Sequence, residues 1–183
     1  MQLDARRAAF EKVFRLHVTN VRRYARRRTT SPEDAEDVVA ETFTVAWRRF
    51  ESIPVGDELP WLYGVARHHL ANQRRGSTRR LALLARIEAL TPRVAPDYGI
   101  PESTPVLDAL SKLRDKDREL LCLMAWEGLE REQLARALGV GRAGLRMRIH
   151  RARRALEEAL RDRQEPASAD AALTANHVGS RDV

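Results

Sequence analysis

The sequence from Arg131 to Arg154 is REQLARALGVGRAGLRMRIHRARR. Its apolar residues recur at helical spacing on both sides of a glycine, which predicts one helix over 131–138, a turn at Gly139 and a second helix from Arg142. This order of elements is that of a helix-turn-helix, so we expect this part of the chain to adopt that motif.

Three residues have the spacing that the motif requires. A small residue at Ala135 permits close helix crossing, Gly139 accepts the positive φ of the turn, and the branched Leu145 packs the second helix onto the first. The rest of the predicted buried face is formed by Leu134, Leu138, Val140, Ile149, Ala152 and Leu156. The opposite face of the second helix is basic.

Six arginines and no acidic residue occur between Arg142 and Arg154. A plain solvated helical hairpin is the alternative interpretation. However, a face that is only soluble usually mixes charge signs to gain pairs at i,i+4. Turn geometry together with charge of one sign therefore favours DNA binding.

The composition of the whole chain agrees with a polyanionic partner. The net charge is +7 over 183 residues and the pI is about 10.4, and basic side chains that neutralise phosphates release condensed counterions. A membrane surface could attract the same charge, but no apolar run approaches the roughly 18 residues that span a bilayer, and residues 1–5 open no signal peptide. We expect no membrane insertion and a cytoplasmic protein. The single cysteine, Cys122, excludes an internal disulfide and a cysteine zinc site, and we predict it to be buried.

Helical periodicity extends over almost the whole chain, so the predicted fold is all-α. Two small helical domains are expected, over 4–90 and 105–163, and the second contains the helix-turn-helix. Between them, 91–104 is rich in proline, which blocks a continuous helix and predicts a linker. The tail over 164–183 lacks aromatic residues and is predicted to be disordered.

The first block begins with a helix whose apolar stripe is formed by Phe10, Phe14, His17, Val21 and Tyr24. Ser31 and Pro32 then predict the start of a second helix, because serine caps a helix and proline is favoured in its first turn. The core stripe of this second helix is formed by Val39, Phe43, Trp47 and Phe50.

A third helix is expected from about Pro60, with a core that includes Leu62, Val65, Ala66, His69 and Leu70, and with Trp61 also in the core. Between Leu59 and Ile87 there are six arginines and no acid. The predicted exposed face therefore carries Arg67, His68, Asn72 and Arg75.

An acidic cluster lies on the second helix at Glu33, Asp34, Glu36, Asp37 and Glu41. Such carboxylates could bind magnesium in a nuclease, but metal sites usually recruit ligands from several elements. We expect a solvated or partner-binding face, with no metal. There is also no zinc motif, glycine-rich phosphate loop or nucleophile elbow, so neither a catalytic site nor a cofactor is predicted.

Several segments resemble the extracytoplasmic-function sigma factors of bacterial RNA polymerase. DAEDVVAETFTVAWR at 34–48 and PWLYGVAR at 60–67 resemble the family's polymerase-binding and promoter-melting segments. Four further segments resemble the family's promoter-reading domain: EGL at 127–129, QLA at 133–135, LGV at 138–140 and HRARRAL at 150–156. The resemblance implies a non-catalytic subunit that joins core RNA polymerase, recognises promoter DNA and helps to open it. It also implies that an anti-sigma protein can bind this subunit.

The resemblance also implies roles for individual residues. Asp37, Ala40 and Glu41 would dock onto the polymerase, and the loop over 51–59 would accept a flipped base. The minus-10 element would be contacted by Arg67, His68, Asn72 and Arg75. The minus-35 element would be contacted by Arg142, Arg146, Met147, Arg148, His150, Arg151 and Arg153.

The chain departs from the family pattern at four positions. Ala40 stands where glutamine is frequent, and His68 stands where asparagine is usual. Gly144 and Met147 replace threonine and serine in the recognition helix. These departures predict an unusual promoter preference. Two alternative functions remain. One is a helix-turn-helix repressor or activator that acts without polymerase, and such a protein would not need the melting segment or the acidic helix. The other is a metal-dependent nuclease.

Overall fold

The computed structural model describes the backbone of residues 2–85 and 104–177 and the side chains of 3–76 and 104–162. Over these residues the chain is helical and contains no strand, which confirms the predicted all-α fold. The helices are α1 (Gln2–Arg26), α2 (Pro32–Arg48), a 3-10 turn (Phe50–Ser52), α3 (Glu58–Ala85), α4 (Pro105–Lys112), α5 (Asp115–Ala125), α6 (Arg131–Leu138) and α7 (Arg142–His177).

The helices group into two compact units. The first contains α1, α2, α3 and α6, and the second contains α4, α5 and α7. The domain boundaries predicted from sequence, 4–90 and 105–163, follow chain order and place α6 with the second domain, whereas its packing in the structure groups it with the first three helices. Apart from Thr104, the predicted linker lies outside the described residues.

Helices α1, α2 and α3 pack around an aromatic core in the first unit. Tyr24 and Tyr63 are buried, with ring centroids 4.9 Å apart. The guanidinium carbon of Arg28 lies 3.7 Å from the Tyr24 ring centroid, so a buried cation is stabilised by the aromatic face. At the other end of the core, the Phe10 ring makes edge contacts with Phe43, Trp47 and Phe50. The members of the stripes predicted on α1 and α2 differ in burial: Val21, Tyr24, Val39 and Phe43 are buried, Phe10, His17, Trp47 and Phe50 are half-buried, and Phe14 is 37% exposed.

Local capping sets the start of α2. The Ser31 Oγ accepts a hydrogen bond from the Asp34 N–H at 3.0 Å, and proline occupies the first turn. This arrangement satisfies a backbone donor that the helix itself leaves without a partner. The predicted start of α2 is confirmed.

Helix α6 packs against α3 within the first unit. A Cβ placed on Gly64 would lie 3.2 Å from the Ala137 carbonyl oxygen, so glycine allows the two backbones to approach closely. The Arg136 guanidinium forms an ion pair with Asp57, the residue before α3. The sequence pattern does not predict this packing.

The second unit has its own small core between α4, α5 and α7. Ala109, Leu110, Leu113 and Ala159 are buried together, with Trp126 packed beside them. Cys122 is buried, as predicted.

Two element boundaries differ from the sequence prediction. Helix α3 begins at Glu58, two residues before Pro60, because the chain already turns at Ile53–Asp57. Helix α7 continues to His177, where a tail without regular structure was predicted from residue 164. Five alanines between 167 and 175 explain the continued helix, since alanine has the highest helix propensity. Residues 178–183 of the predicted tail lie outside the described part.

Candidate nucleic-acid interface

The turn before α7 has the geometry that the sequence predicts. Gly139 adopts φ 64° and ψ 40°, and its N–H donates hydrogen bonds to the Ala135 and Arg136 carbonyl oxygens at the end of α6. The Val140 N–H also donates to the Ala135 carbonyl oxygen, at 3.0 Å. An L side chain is strained at this φ, so glycine is required where the chain leaves α6. Helix α7 then begins at Arg142.

One stripe of α7 is buried and the rest of its first turns is exposed. Leu145, Ile149 and Ala152 have at most 8% exposure, at helical spacing. Of the predicted minus-35 residues, Arg148 is half-buried and the others, Arg142, Arg146, Met147, His150, Arg151 and Arg153, are exposed. The structure thus brings them together along the first four turns of one helix.

Helical geometry ranks these side chains by distance from the buried stripe. At 100° per residue, Met147, His150 and Arg154 point most directly away from Leu145, and Met147 is 66% exposed. Arg154 is therefore a further functional candidate beyond the seven minus-35 residues predicted from sequence, and the helical period of the sequence alone is sufficient to identify it. Its guanidinium lies 3.4 Å from Glu158.

The basic charges at the centre of this surface lack internal counter-charges. Among the residues that the structure describes, neither Arg146 nor Arg151 makes an ion pair, and the first acidic residue of α7 is Glu157. Exposed guanidinium groups without carboxylate partners can donate to phosphate oxygens or to the acceptors of guanine. The surface therefore has the charge and the donors that duplex DNA requires.

A second basic surface lies on α3. His68, Asn72 and Arg75 are exposed, and Arg75 donates a hydrogen bond to the Asn72 side-chain oxygen. Arg67 is half-buried, although its sequence context predicts an exposed residue, and its Nε is buried without a hydrogen-bond partner within the described part of the chain. Gly64, which approaches α6 closely, lies about one helical turn before Arg67 on α3.

The loop before α3 is short and ordered by local hydrogen bonds. Gly56 adopts φ 83°, and its N–H donates to the Glu58 carboxylate at 3.0 Å. Val55 is 95% exposed beside it, whereas Ile53 is buried. That this loop accepts a flipped base stays a prediction.

The acidic surface lies on the solvent side of α2. Asp37, Ala40 and Glu41 are all exposed, opposite a buried stripe that includes Val38 and Phe43. Neither Asp37 nor Glu41 makes an ion pair with another described residue. No group of three His, Cys, Asp or Glu side chains that could hold a metal ion is found in the described part of the chain.

Glu36, in the same acidic cluster, forms an ion pair with Arg22 of the neighbouring helix. Its carboxylate accepts two hydrogen bonds from Arg22 on α1, at 2.7 and 3.1 Å. This hydrogen-bonded carboxylate raises the pKa of the Arg22 guanidinium. The pair joins α1 to α2, whereas Asp37 and Glu41, further along α2, make no ion pair with a described residue.

His17 lies half-buried between the helices of the first unit. Burial lowers the pKa of its imidazole, and the nearby Glu58 carboxylate opposes this shift. Its Nε2 has no hydrogen-bond partner among the side chains and backbone described. The other core histidine predicted from sequence, His69, is also half-buried. None of the described helices is both long and apolar enough to cross a bilayer.

Comparisons with known proteins match both units. The family Sigma-70 region 2 matches residues 13–80, and the family Sigma-70, region 4 matches residues 103–156. The ECF RNA polymerase sigma factor SigL of Mycobacterium tuberculosis is 30% identical over 165 residues, covering 86% of this chain and 92% of SigL. RNA polymerase sigma factor CarQ of Myxococcus xanthus is 30% identical over 162 residues, with the same coverage of each chain.

Solved structures support the same fold. The sigma factor RpoE in complex with the anti-sigma factor NepR from Bartonella quintana superposes with a TM-score of 0.63 at 24% identity, covering 84% of this chain and 97% of that one. CnrH in complex with the cytosolic domain of CnrY gives a TM-score of 0.56 at 23% identity, covering 85% and 90%. The two family matches, in this order along one chain, and the relatives that extend over nearly its whole length lead to one conclusion. The chain belongs to the extracytoplasmic-function family of RNA polymerase sigma factors, which direct promoter-specific initiation of transcription.

Proposed function

We propose that this chain directs core RNA polymerase to promoters and that it uses three separate binding surfaces to do so. The start of α7 reads the minus-35 duplex, the exposed side of α3 binds the minus-10 strand, and α2 docks on the polymerase. The chain itself supplies no catalytic group and acts in the cytoplasm, where it meets the polymerase. The observation that carries the proposal is the exposed basic surface at the start of α7, where Arg146 and Arg151 make no ion pair with any described residue.

On α7, the proposal distinguishes base contacts from phosphate contacts. Arg146 is exposed on the flank of the outermost face, and a guanidinium there can donate two hydrogen bonds to the O6 and N7 atoms of guanine. Arg151 and Arg153 lie further along the helix and suit phosphate oxygens, which position the protein without reading sequence. Met147 offers an apolar contact of the kind that suits a thymine methyl group.

On α3, the exposed His68 and Asn72 would contact an unpaired minus-10 strand, and Arg75 would bind its backbone. The buried Nε of Arg67 leaves the terminal nitrogens of that guanidinium for DNA. Stacking and electrostatic attraction together bind single strands, and this face offers both an imidazole ring and basic charge.

On α2, Asp37 and Glu41 provide negative charges that no described residue neutralises, and Ala40 lies between them on the exposed side. An acidic patch on a basic protein is suited to a basic docking surface of the polymerase. The solved structures that this fold resembles are complexes with anti-sigma partners, so we extend the proposal to an anti-sigma protein that competes for these surfaces.

Run-off transcription tests the proposal. Core polymerase with a promoter library would be assayed with and without the chain, and the recovered promoters would be sequenced. We expect initiation that depends on the chain and on two conserved sequence blocks. Tight DNA binding without added initiation would instead support a helix-turn-helix regulator that works without polymerase.

A further inference from the structure

The charge on α7 changes sign part of the way along the helix. The segment from Arg142 to Arg154 contains six arginines and no acidic residue, whereas the next eight residues, 155–162, contain three acidic residues and one arginine. The helix itself continues without a break past this point, to His177. The basic surface therefore ends at Arg154 because the sequence changes there, while the backbone goes on.

An ion pair lies at this change of sign. The Arg154 Nη2 is 3.4 Å from the Glu158 Oε1, and the two side chains are 67% and 61% exposed. At 100° per residue, both positions lie within about 20° of Met147, on the outermost face of α7. The last arginine of the basic surface thus has a carboxylate beside it on the same face, whereas Arg146 and Arg151 make no ion pair with a described residue.

The stability of the helix does not explain this pair. An exposed ion pair contributes little to folding, because water solvates both charges and the long side chains lose conformational freedom. At the i,i+4 spacing, an acidic residue before a basic one is also the better order, and Arg154 and Glu158 have the reverse order. Packing of α7 comes instead from buried residues such as Ala152 and Ala159. A role of Glu158 toward a ligand of Arg154 is therefore the more informative interpretation.

The spacing along α7 places the pair at the edge of a DNA groove when Met147 lies over the bases. The rise from Met147 is about 10 Å to Arg154 and about 16 Å to Glu158. The major groove of duplex DNA is about 12 Å wide, and phosphates line its edges. The guanidinium of Arg154 then lies near a phosphate, which would compete with Glu158 for the same donors. A carboxylate at this place also repels the phosphate directly.

We propose that Arg154 contacts a backbone phosphate of the duplex and that Glu158 weakens this contact by competing for the guanidinium. This inference rests on the proposed role of α7 in binding duplex DNA. It assigns a DNA contact to Arg154, which the family resemblance does not imply, and it makes Glu158 a positioning residue that acts through Arg154. A phosphate contact carries no sequence information, so Glu158 lowers the affinity for every duplex to a similar extent.

Binding of the full chain to a labelled duplex of random sequence tests the proposal. Fluorescence anisotropy would be measured at several salt concentrations. Glu158→Gln should raise the affinity about three- to eightfold near 0.1 M salt, and it should steepen the dependence of log K on log salt by up to about 0.9, the value of one phosphate contact. Glu158→Asp keeps the negative charge and should stay within about twofold of the wild type.

The matched control is Glu157→Gln. Glu157 is exposed, precedes Glu158 directly and carries the same charge, but it lies about 80° around the helix from Met147 and makes no ion pair with a described residue. We expect its removal to raise the affinity less than about twofold, through long-range attraction that salt screens. Equal gains for the two glutamine variants would overturn the inference, because net charge alone would then account for both.

A double-mutant cycle tests whether Glu158 acts through Arg154. Arg154→Ala should lower the affinity about twofold in the wild type, where Glu158 already weakens the contact, and about three- to eightfold in the Glu158→Gln background. The same loss in both backgrounds would show that Glu158 acts independently of Arg154, and the proposal would be wrong. Urea unfolding of each variant should give a midpoint close to that of the wild type, so that a change in affinity is not a change in folding.

The proposed function fails in a different way, by absence of polymerase-dependent initiation from any promoter. A chain that initiates transcription, but whose Glu157→Gln and Glu158→Gln variants bind the random duplex equally, would keep the proposed function and lose only the role assigned to this pair.

Discussion

Two glycines of the helix-turn-helix should respond in opposite directions to the same substitution. Gly144 is the third residue of α7 and is exposed, and a Cβ there would meet no atom within 4 Å. Gly144→Ala should therefore stabilise the fold by up to about 1 kcal/mol, the difference in helix propensity between the two residues in a helix interior. Gly139 has equally open space but a φ of 64°, so steric room does not decide its effect.

For Gly139→Ala the backbone conformation opposes the gain. A left-handed conformation costs a non-glycine residue about 1–2 kcal/mol, and the lower entropy of alanine in the unfolded chain offsets about 0.4–1 kcal/mol of this. We expect a net destabilisation near 1 kcal/mol. With a urea m value of about 2 kcal/mol per molar, the two variants should move the unfolding midpoint by about 0.5 M in opposite directions.

Urea unfolding of the full chain, followed by far-UV circular dichroism, measures both shifts. The m value should stay that of the wild type, so that a change in midpoint reports stability. A lower midpoint for Gly144→Ala would refute the reasoning, because the space beside Gly144 would then not be open. A raised midpoint for Gly139→Ala would show that the turn does not hold the left-handed conformation.

Three further substitutions test separate parts of the molecule. Arg146→Ala should reduce discrimination at one minus-35 base pair by about 1–3 kcal/mol, measured by competition binding of the polymerase holoenzyme to single-base promoter variants. Ser31→Ala removes the acceptor for the Asp34 N–H and should destabilise the fold by about 1 kcal/mol in urea unfolding. His17→Gln should flatten the loss of stability below about pH 6.5, because burial lowers the pKa of His17 in the folded state and the unfolded chain therefore binds the proton first.

Matched controls separate these effects from general ones. Arg161→Ala removes an exposed charge from the same helix outside the proposed surface, and an equal loss on every promoter sequence would make Arg146 a phosphate contact. Ser52→Ala lies at the end of the 3-10 turn and should leave stability almost unchanged. A wild-type pH profile in the His17→Gln variant would assign the acid sensitivity to other groups.

Local patterns in the sequence predict much of this fold. The cap at Ser31, the turn at Gly139 and the buried spacing from Leu145 to Ile149 all appear in the structure as expected. Each depends on residues within about one or two helical turns, where backbone geometry and side-chain chemistry act directly. The clustering of arginines at the start of α7 follows from the same helical period.

The sequence predicts side-chain exposure less completely where that exposure depends on packing between helices. Arg67 has the sequence context of an exposed basic residue, yet it is half-buried beside the α6 contact. Arg154 is not among the minus-35 residues that the family resemblance implies, although the helical angle places it on the outermost face of α7. Helix α7 also continues beyond the predicted boundary, since its alanine-rich segment has helix propensity even without an apolar stripe.

The sequence by itself determined the helices, their caps, the basic and acidic faces, and the family to which the chain belongs. Only the tertiary structure decided that α6 packs on α3, through Gly64 with Ala137 and Asp57 with Arg136. These pairs are more than 70 residues apart in the chain. A close backbone contact through small residues, or a single ion pair, leaves no periodic or local signature, so which faces meet is set by the packing of the whole unit.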